Sequence, residues 1–264
     1  MRLTNKIAIV TGAAGGIGEE VAKAFAAEGC TVLAADLNEK GVAETSEVIN
    51  KKGGNASSMA VDVTNSKKVL KMIQHCVSQY GRLDVIANVA GTGQRHSFLE
   101  ATEKEFNRVM QVNLMGTFLC CQAAAREMLK QNYGRIINIA SIAGTRAGSG
   151  RTAYGTSKSA VIGLTRQAAL ELAPHGITVN AVAPGPVDTP LTRLTHNDVT
   201  REGYKELIPT GRYGTVEEMA DAALFLAGEQ ASYVNGHILY VDGGYIAAGI
   251  STDFGEKIDP SLKN

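Results

Sequence analysis

"IAIVTGAAGGIGEEVAKAFA", residues 7–26, holds three different signals in one short stretch. Ile7 to Val10 is a run of β-formers with no polar residue, the pattern of a strand buried on both faces. Glycines then crowd the chain at Gly12, Gly16 and Gly18, and from Gly18 to Ala27 the apolar residues fall at helical spacing. A buried strand, a glycine turn and an amphipathic helix in that order read as the first half of a parallel βαβ unit.

The turn has a chemical reading as well. Glycine lets a backbone double back tightly and approach a ligand closely, while the first N–H groups of the helix carry partial positive charge without internal partners. Such a place suits a pyrophosphate. The spacing here is GxxxGxG instead of the commoner GxGxxG, and the competing reading of the stretch is a simple tight turn. The next apolar run, Thr31 to Ala35, leads into Asp36, 18 residues beyond Gly18. A carboxylate at the tip of the second strand can accept hydrogen bonds from both ribose hydroxyls of an adenosine and would repel a 2′-phosphate. No Arg or Lys lies within Ala13 to Ile17 or directly after Asp36 to receive such a phosphate, so the expected cofactor is NAD. The competing reading of Asp36 is a cap for the following turn.

Outward from this unit, strand candidates recur at Ser58 to Val61, Leu83 to Asn88, Arg135 to Ile139, Thr178 to Val182 and Ile238 to Val241. Helical patterns lie between them at Lys67 to Gln79, Lys104 to Leu129, Tyr154 to Ala173 and Val216 to Ala227. This alternation predicts an α/β fold, a Rossmann-type doubly wound parallel sheet of about seven strands with helices on both faces. The 264 residues show no repeat or composition break, so one NAD-binding catalytic domain over 1–264 is expected. Two stretches lack periodicity. Residues 184–214 are expected to form a substrate loop or lid, and 245–264 a C-terminal tail.

Composition excludes several classes. With 26 basic and 26 acidic side chains and no basic run, neither nucleic acid nor an anionic membrane is an expected partner. Cys30, Cys76, Cys120 and Cys121 form no CxxC, and no histidines cluster, so no metal site is written here. The N-terminal apolar run is too short for a secretory core or a membrane span, and the thiols suit a reducing cytoplasm.

A second signal comes from "AYGTSKSA", residues 153–160. Tyr154 and Lys158 stand four apart at the opening of a helical pattern, so their side chains share one face. Alone, such a pair is more often structural than functional.

Taken together, "TGAAGGIG", "NVAG" at Asn88 to Gly91, Asn113 in "VNLMGTF", Ser141 in "NIASIAG", "YGTSK", "VNAVAPGPVDTP" and "YVNGHILYVDGG" resemble the short-chain dehydrogenase/reductase family over residues 5 to about 245. The resemblance implies a catalytic set of Asn113, Ser141, Tyr154 and Lys158. Tyr154 would be the general acid/base, Lys158 would lower its pKa and bond the nicotinamide ribose, Ser141 would hold the substrate oxygen, and Asn113 would support a water relay. It further implies dinucleotide contacts from Gly12, Gly16, Ile17, Gly18, Asp36, Leu37, Asp62, Val63, Asn88, Ala90, Gly91, Tyr154, Lys158, Pro184, Gly185, Val187 and Thr189. The family's usual NNAG is NVAG here, with Val89 in place of the second Asn. Most members are homotetramers, which is the assembly expected for this chain.

Substrate contacts are expected from Ser141, Tyr154, Gln94 and Arg151. Further polar residues, His96, Arg95, Arg146, Arg193, His196, Arg201 and Tyr204, lie in the loops that follow strands and allow a polar or anionic substrate. The leading expectation is NAD(H)-dependent hydride transfer on a secondary alcohol or ketone, such as an alcohol, polyol, sugar derivative or hydroxy acid. An alternative sharing the whole motif set is an NADPH-dependent 3-oxoacyl-thioester reductase. Against it stand Asp36, the neutral charge, and Asn132 and Leu170 where such reductases commonly carry arginine. A non-catalytic nucleotide sensor is the alternative of another class, disfavoured by the intact set of four. Sugar epimerases share the Tyr and Lys spacing but normally need a larger second region.

Overall fold

The computed structural model describes residues 1–93 and 95–249. Seven parallel strands form one sheet: β1 (Ile7–Thr11), β2 (Thr31–Asp36), β3 (Asn55–Ala60), β4 (Val85–Asn88), β5 (Gly134–Ile139), β6 (Ile177–Pro184) and β7 (Ile238–Val241), in the order β3-β2-β1-β4-β5-β6-β7. The helices are α1 (Gly16–Ala27), α2 (Glu39–Lys51), α3 (Ser66–Tyr80), α4 (Glu103–Met110), α5 (Gly116–Leu129), α6 (Thr152–Leu172), α7 (Pro190–Thr195), α8 (Asp198–Leu207) and α9 (Val216–Ala227). This is the doubly wound sheet that the alternation predicts.

The strands are covered on both faces. Ala8 and Val10 of β1 join the core built with Val21 and Phe25 of α1 and with Ala223 and Leu224 of α9. Ile9, between them, joins the opposite core with Met72 and Ile73 of α3 and Cys120 and Met128 of α5. A residue and its neighbour thus serve two hydrophobic layers, which is why β1 is apolar from Ile7 to Val10; β5 divides Ile136, Ile137 and Ile139 between the same two cores, with Arg135 and Asn138 buried among them. All four cysteines are free and buried, and burial pushes the Cys76 and Cys121 thiols up to about 12. They are packing residues, as the spacing implied.

Where element boundaries differ from the sequence reading, polar side chains account for it. β4 starts at Val85 and not at Leu83 because the Asp84 carboxylate takes the Ile7 N–H (2.9 Å), so the ladder begins at the Ala8–Val85 pair. β3 runs from Asn55, three residues before the expected start, although Ser57 and Ser58 weaken its apolar pattern. It is an edge strand, and Asn50 clamps Ala56 through both the N–H (2.8 Å) and the carbonyl (2.9 Å). α2 was absent from the sequence reading; its signal is Asn38, whose Oδ1 caps the helix by accepting from the Gly41 N–H (3.1 Å).

Two corrections bear on the site. The expected single helix Lys104 to Leu129 is broken by a π-helical turn, Gln111–Met115, with Asn113 at its centre. Such turns free backbone groups from the regular ladder and are frequent at functional sites. The expected irregular loop 184–214 instead contains α7 and α8. Thr189 and Thr192 form a reciprocal cap with Pro190 at the first helical position, and Asn197 caps α8. The tail beyond residue 249 lies outside the described residues. Among those described, no helix is long and apolar enough to cross a membrane.

Candidate active site

β1 and β4 are neighbours in the sheet, yet the chain leaves them in opposite directions, toward β2 on one side and β5 on the other. A crevice opens at the carboxyl ends of strands where the order reverses in this way. It is occupied by a cavity of about 630 Å³ lined at one end by Gly12, Gly16 and Asp36 and at the other by Tyr154, Lys158 and Thr189. That size is typical of a site for a cofactor or small molecule.

The glycine turn is shaped by close backbone approach. Gly12 has φ +70°, and a Cβ there would stand 2.7 Å from the Ala90 nitrogen. A Cβ on Gly18 would fall onto the Gly12 carbonyl, so that position must be glycine for α1 to pack against the turn. No side chain caps α1, although α2, α3, α4, α7, α8 and α9 all have side-chain caps. Gly16, Ile17 and Gly18, which carry its first N–H groups, line the cavity, and the uncapped N-terminus of a helix is a donor set matched to a phosphate.

Asp36 ends β2 at the cavity wall. Its Oδ2 accepts from the Ala14 N–H (3.1 Å) and its Oδ1 from the Asn38 N–H (2.9 Å), so the carboxylate is fixed in place and retains lone pairs for two hydroxyls. Leu37, 72 % exposed, lies beside it on the rim. Asp62 and Val63 line the same end, and two hydrogen bonds from Thr64 hold the Asp62 carboxyl below the usual carboxylate range. These residues fit the adenosine half of a dinucleotide, and Ala90 and Gly91 continue the wall.

Asn88 does not join them. Its side chain turns into the core, donating to Asn138 Oδ1 (2.9 Å) and Cys121 Sγ (3.2 Å). Asn138 in turn donates to Thr165 Oγ1 (3.0 Å), so Asn88 ties β4 to β5 and α6 and is not a direct wall of the cavity. Pro184 is the last residue of β6 and Val187 is buried, its carbonyl engaged by Thr192 Oγ1 (2.6 Å); neither lines the large cavity, and Gly185 lines the smaller one described below. Thr189 does line it. Sequence reading also missed Thr11, which accepts the Val89 and Ala90 N–H groups (3.1 and 3.3 Å) and so welds the ends of β1 and β4.

At the other end of the crevice, Asn113 of the π-turn, Ser141 from the segment after β5, and Tyr154 and Lys158 of α6 converge from three different segments. Asn113 is fully buried: its Oδ1 accepts from the Thr92 N–H (2.8 Å), and its Nδ2 donates to the Thr92 carbonyl (2.9 Å) and to Ser157 Oγ (3.0 Å). Ser157 Oγ donates to the Tyr154 carbonyl (2.7 Å), which joins the π-turn to the first turn of α6. A Cβ on Gly91 would lie 3.4 Å from Asn113 Oδ1 and 3.8 Å from Lys158 Nζ, so those two groups face one another across Gly91. Ser141 Oγ accepts from the Ala143 N–H (3.1 Å) and is hydrogen-bonded to the Tyr154 side chain.

The electrostatics differ from the simple expectation that Lys158 lowers the Tyr154 pKa. Burial pushes the Tyr154 phenol up, and the groups that oppose this are the Ser141 hydrogen bond and the charge of Arg151. Lys158 Nζ sits 5.8 Å from the Tyr154 ring centre and donates to the Ile139 carbonyl (2.6 Å). Burial alone pulls Lys158 down to about 8. The lysine therefore stands ready for partners that would favour its charged form, as ribose hydroxyls would.

This has a measurable consequence. Between about pH 8 and 10.5 the unfolded chain keeps a proton on Lys158 that the folded, ligand-free chain has released, so stability rises with pH through that window. Lys158→Met is expected to raise the stability of the ligand-free protein near neutral pH by about 2 kcal/mol, and the gain should fade toward pH 10. Urea midpoints of both proteins at the two pH values test this; an equal gap at both would contradict it.

A second cavity, about 100 Å³, adjoins the first and shares Tyr154 with it. Ser141, Arg146, Arg151, His196 and Tyr204 are among its walls. The other polar loop residues do not reach it. Arg193 and Arg201 are both bound to Asp188, Arg95 donates to Thr200 Oγ1, and His96 faces Glu105. Gln94 lies outside the described residues. No group of three or more metal-ligating side chains occurs among those described.

Comparison with known proteins agrees with this arrangement. A family model described as enoyl-(acyl carrier protein) reductase matches residues 12–246. The chain is 37 % identical to a 3-oxoacyl-(acyl-carrier-protein) reductase FabG of Aquifex aeolicus, over 92 % of this chain and 98 % of that protein. Among solved structures, a short-chain type dehydrogenase/reductase from Mycobacterium marinum superposes with a TM-score of 0.89 at 36 % identity, over 93 % of this chain and 97 % of the other. A candidate NAD(P)-dependent gluconate 5-dehydrogenase from Beutenbergia cavernae, holding NADP, does so with a TM-score of 0.89 at 37 % identity, over 93 % and 98 %.

Proposed function

Because this chain belongs to the short-chain dehydrogenase/reductase family, whose members are oxidoreductases acting on hydroxyl and keto groups, we propose that it interconverts a secondary alcohol and its ketone with NAD(H). The observation that carries this reading is the convergence of Ser141, Tyr154 and Lys158 at the seam of two cavities, one shaped for a dinucleotide and one for a small substrate. A nicotinamide held beside Tyr154 and Lys158 would supply the hydride for the ketone, or accept it from the alcohol.

The chain's own groups handle the proton. In reduction the Tyr154 hydroxyl donates to the carbonyl oxygen as hydride arrives; in oxidation the phenolate takes the hydroxyl proton as hydride leaves. Ser141 Oγ holds the same oxygen and stabilises charge developing on it. Lys158, held in its ammonium form to higher pH by ribose hydroxyls, would raise the positive potential at Tyr154 and carry protons toward the Asn113 turn. Asp36 supports NAD over NADP, because a fixed carboxylate at the ribose repels a 2′-phosphate. A homotetramer in a reducing cytoplasm goes with this reading; Met115 of the π-turn and Phe118 of α5 expose apolar surface for subunit pairing.

The name of the Aquifex aeolicus relative favours the second reading, reduction of a 3-oxoacyl thioester, more than it favours a polyol substrate. Against it, Leu170 is 75 % exposed where a basic contact for an acidic carrier would be wanted. The two readings part in one experiment: nicotinamide absorbance with secondary alcohols, polyols, sugar derivatives, hydroxy acids and 3-oxoacyl thioesters, each with NAD and NADP. Turnover with NAD on a hydroxy compound is expected. Turnover confined to thioesters with NADPH would establish the second reading.

A further inference from the structure

The smaller cavity contains an arginine that no acid among the described residues neutralises. Three other arginines in the region around α7 and α8 are paired with carboxylates: Arg193 and Arg201 with Asp188, and Arg212 with Glu218. Arg151 is half-buried, and among the described residues no carboxylate stands within ion-pairing distance of it. Its Nη2 donates to His196 Nε2 (2.8 Å), and its Cζ lies 5.4 Å from the Tyr154 ring centre. A guanidinium removed from water without a counter-ion is costly to keep, whereas one that receives an anionic ligand is fully employed.

His196 does not supply the missing charge. An arginine can only donate, so His196 Nε2 must be the acceptor, and the ring proton then sits on Nδ1 and is donated to the Tyr213 hydroxyl (2.8 Å). Burial, followed by the charges of Arg151, Arg95 and Arg201, holds His196 down at about 4, so the ring is neutral under ordinary conditions. Stacking on Tyr204, with ring centres 5.3 Å apart, locks its orientation. The histidine thus orients Arg151 and leaves its positive charge uncompensated. At the rim of the same cavity Arg146 is also without a carboxylate among the described residues; it lies on the Tyr245 ring and donates to the Tyr245 carbonyl (2.9 Å).

We infer that the substrate carries a carboxylate, held in the smaller cavity by Arg151 with Arg146 at the entrance, so that the compound presented to Tyr154 and Ser141 is a short hydroxy acid or the matching keto acid. The inference rests on the hydride-transfer reading above. A guanidinium fork matches a carboxylate through two parallel hydrogen bonds, fixing distance and plane together. The cavity, about 100 Å³, is small beside common ligand sites and matches a short acid better than an extended acyl chain. In the oxidation, the carbinol carbon gives its hydride to oxidised nicotinamide, the hydroxyl proton passes to Tyr154 and then to solvent, and the carboxylate is unchanged.

The test compares short hydroxy acids with their methyl esters, which keep the alcohol and lose the charge. In the unmodified protein kcat/KM should favour the acid, and in Arg151→Gln the acid-to-ester ratio should fall roughly 10–100-fold, mostly through KM. Arg151→Lys, which retains charge but loses the fork, should recover part of the ratio, and Arg146→Gln should lower it less. Esters or thioesters turned over as well as acids, or a ratio unmoved in Arg151→Gln, would overturn the inference and leave hydride transfer intact. Absence of nicotinamide turnover on every compound would instead remove the hydride-transfer reading. Binding gives an independent readout: with NAD present, the short hydroxy acid should raise the thermal midpoint of the unmodified protein and not that of Arg151→Gln. No shift in either protein would overturn the carboxylate site.

Discussion

Tyr154→Phe is expected to cut turnover by roughly 10²–10⁴-fold, the usual contribution of a positioned general acid/base, while leaving dinucleotide affinity nearly unchanged. The ring faces both cavities and packs near Arg151 and Lys158, and phenylalanine keeps that shape. What it removes is the hydroxyl bonded to Ser141, the group able to exchange a proton with a substrate oxygen there. The pH dependence has a definite sign. Because burial raises the Tyr154 pKa, the neutral phenol dominates, so ketone reduction has its acid ready whereas alcohol oxidation must wait for the phenolate. Oxidation should therefore accelerate as pH rises, with reduction showing no such gain, and the residual activity of Tyr154→Phe should lose that slope. Steady-state rates in both directions across pH check this, with fluorescence titration of NADH as the binding control. Full activity in the variant would remove Tyr154 from the chemistry.

Asp36→Asn should lower the preference for NAD over NADP by roughly 10–100-fold in kcat/KM, since hydrogen bonds to a charged group are each worth more than neutral ones and the repulsion of a 2′-phosphate disappears as well. Asparagine is the informative replacement because it keeps the size of the side chain and one carbonyl acceptor for the Ala14 or Asn38 N–H. An unchanged preference would mean that Asp36 only organises the turn, the role it also performs in this structure. The Beutenbergia cavernae relative holds NADP, which makes the comparison of the two cofactors worth running on the unmodified protein first.

The parts of this molecule that were legible in the sequence are those governed by burial. β1 reads cleanly because a strand covered on both faces favours apolar residues, β5 reads through Ile136, Ile137 and Ile139 despite its buried Arg135 and Asn138, β7 reads from the apolar run Ile238–Val241 although it is a partly buried edge strand, and the glycine turn reads because Gly12 and Gly18 have no room for a Cβ. Spacing also placed Tyr154 and Lys158 on one face of α6, and their convergence with Ser141 and Asn113 was available only through family resemblance. Elements held by polar side chains were harder to see. α2, α7 and α8 carry caps from Asn38, Thr189 and Asn197, and β3 a clamp from Asn50; each is short or rich in polar residues, with few apolar residues to announce it. Asn88 is implied as a cofactor contact by the family resemblance of its NVAG motif, whose Ala90 and Gly91 do line the crevice. Strand alternation turns its side chain inward, to Asn138. The uncompensated charge of Arg151 could not be read from sequence at all, because it depends on which arginines find Asp188 and Glu218 once α7 and α8 have formed.

Isotope tracing tests the central claim most directly. The best alcohol substrate is prepared with deuterium on the carbinol carbon, turned over with NAD, and the recovered nicotinamide is examined by NMR and mass spectrometry. Direct hydride transfer at the Ser141, Tyr154 and Lys158 site predicts one deuterium at the C4 position of the reduced nicotinamide, on one face of the ring, with Tyr154→Phe slowing its appearance. Deuterium lost to water, or retained in the recovered substrate while the dinucleotide stays oxidised, would contradict the account.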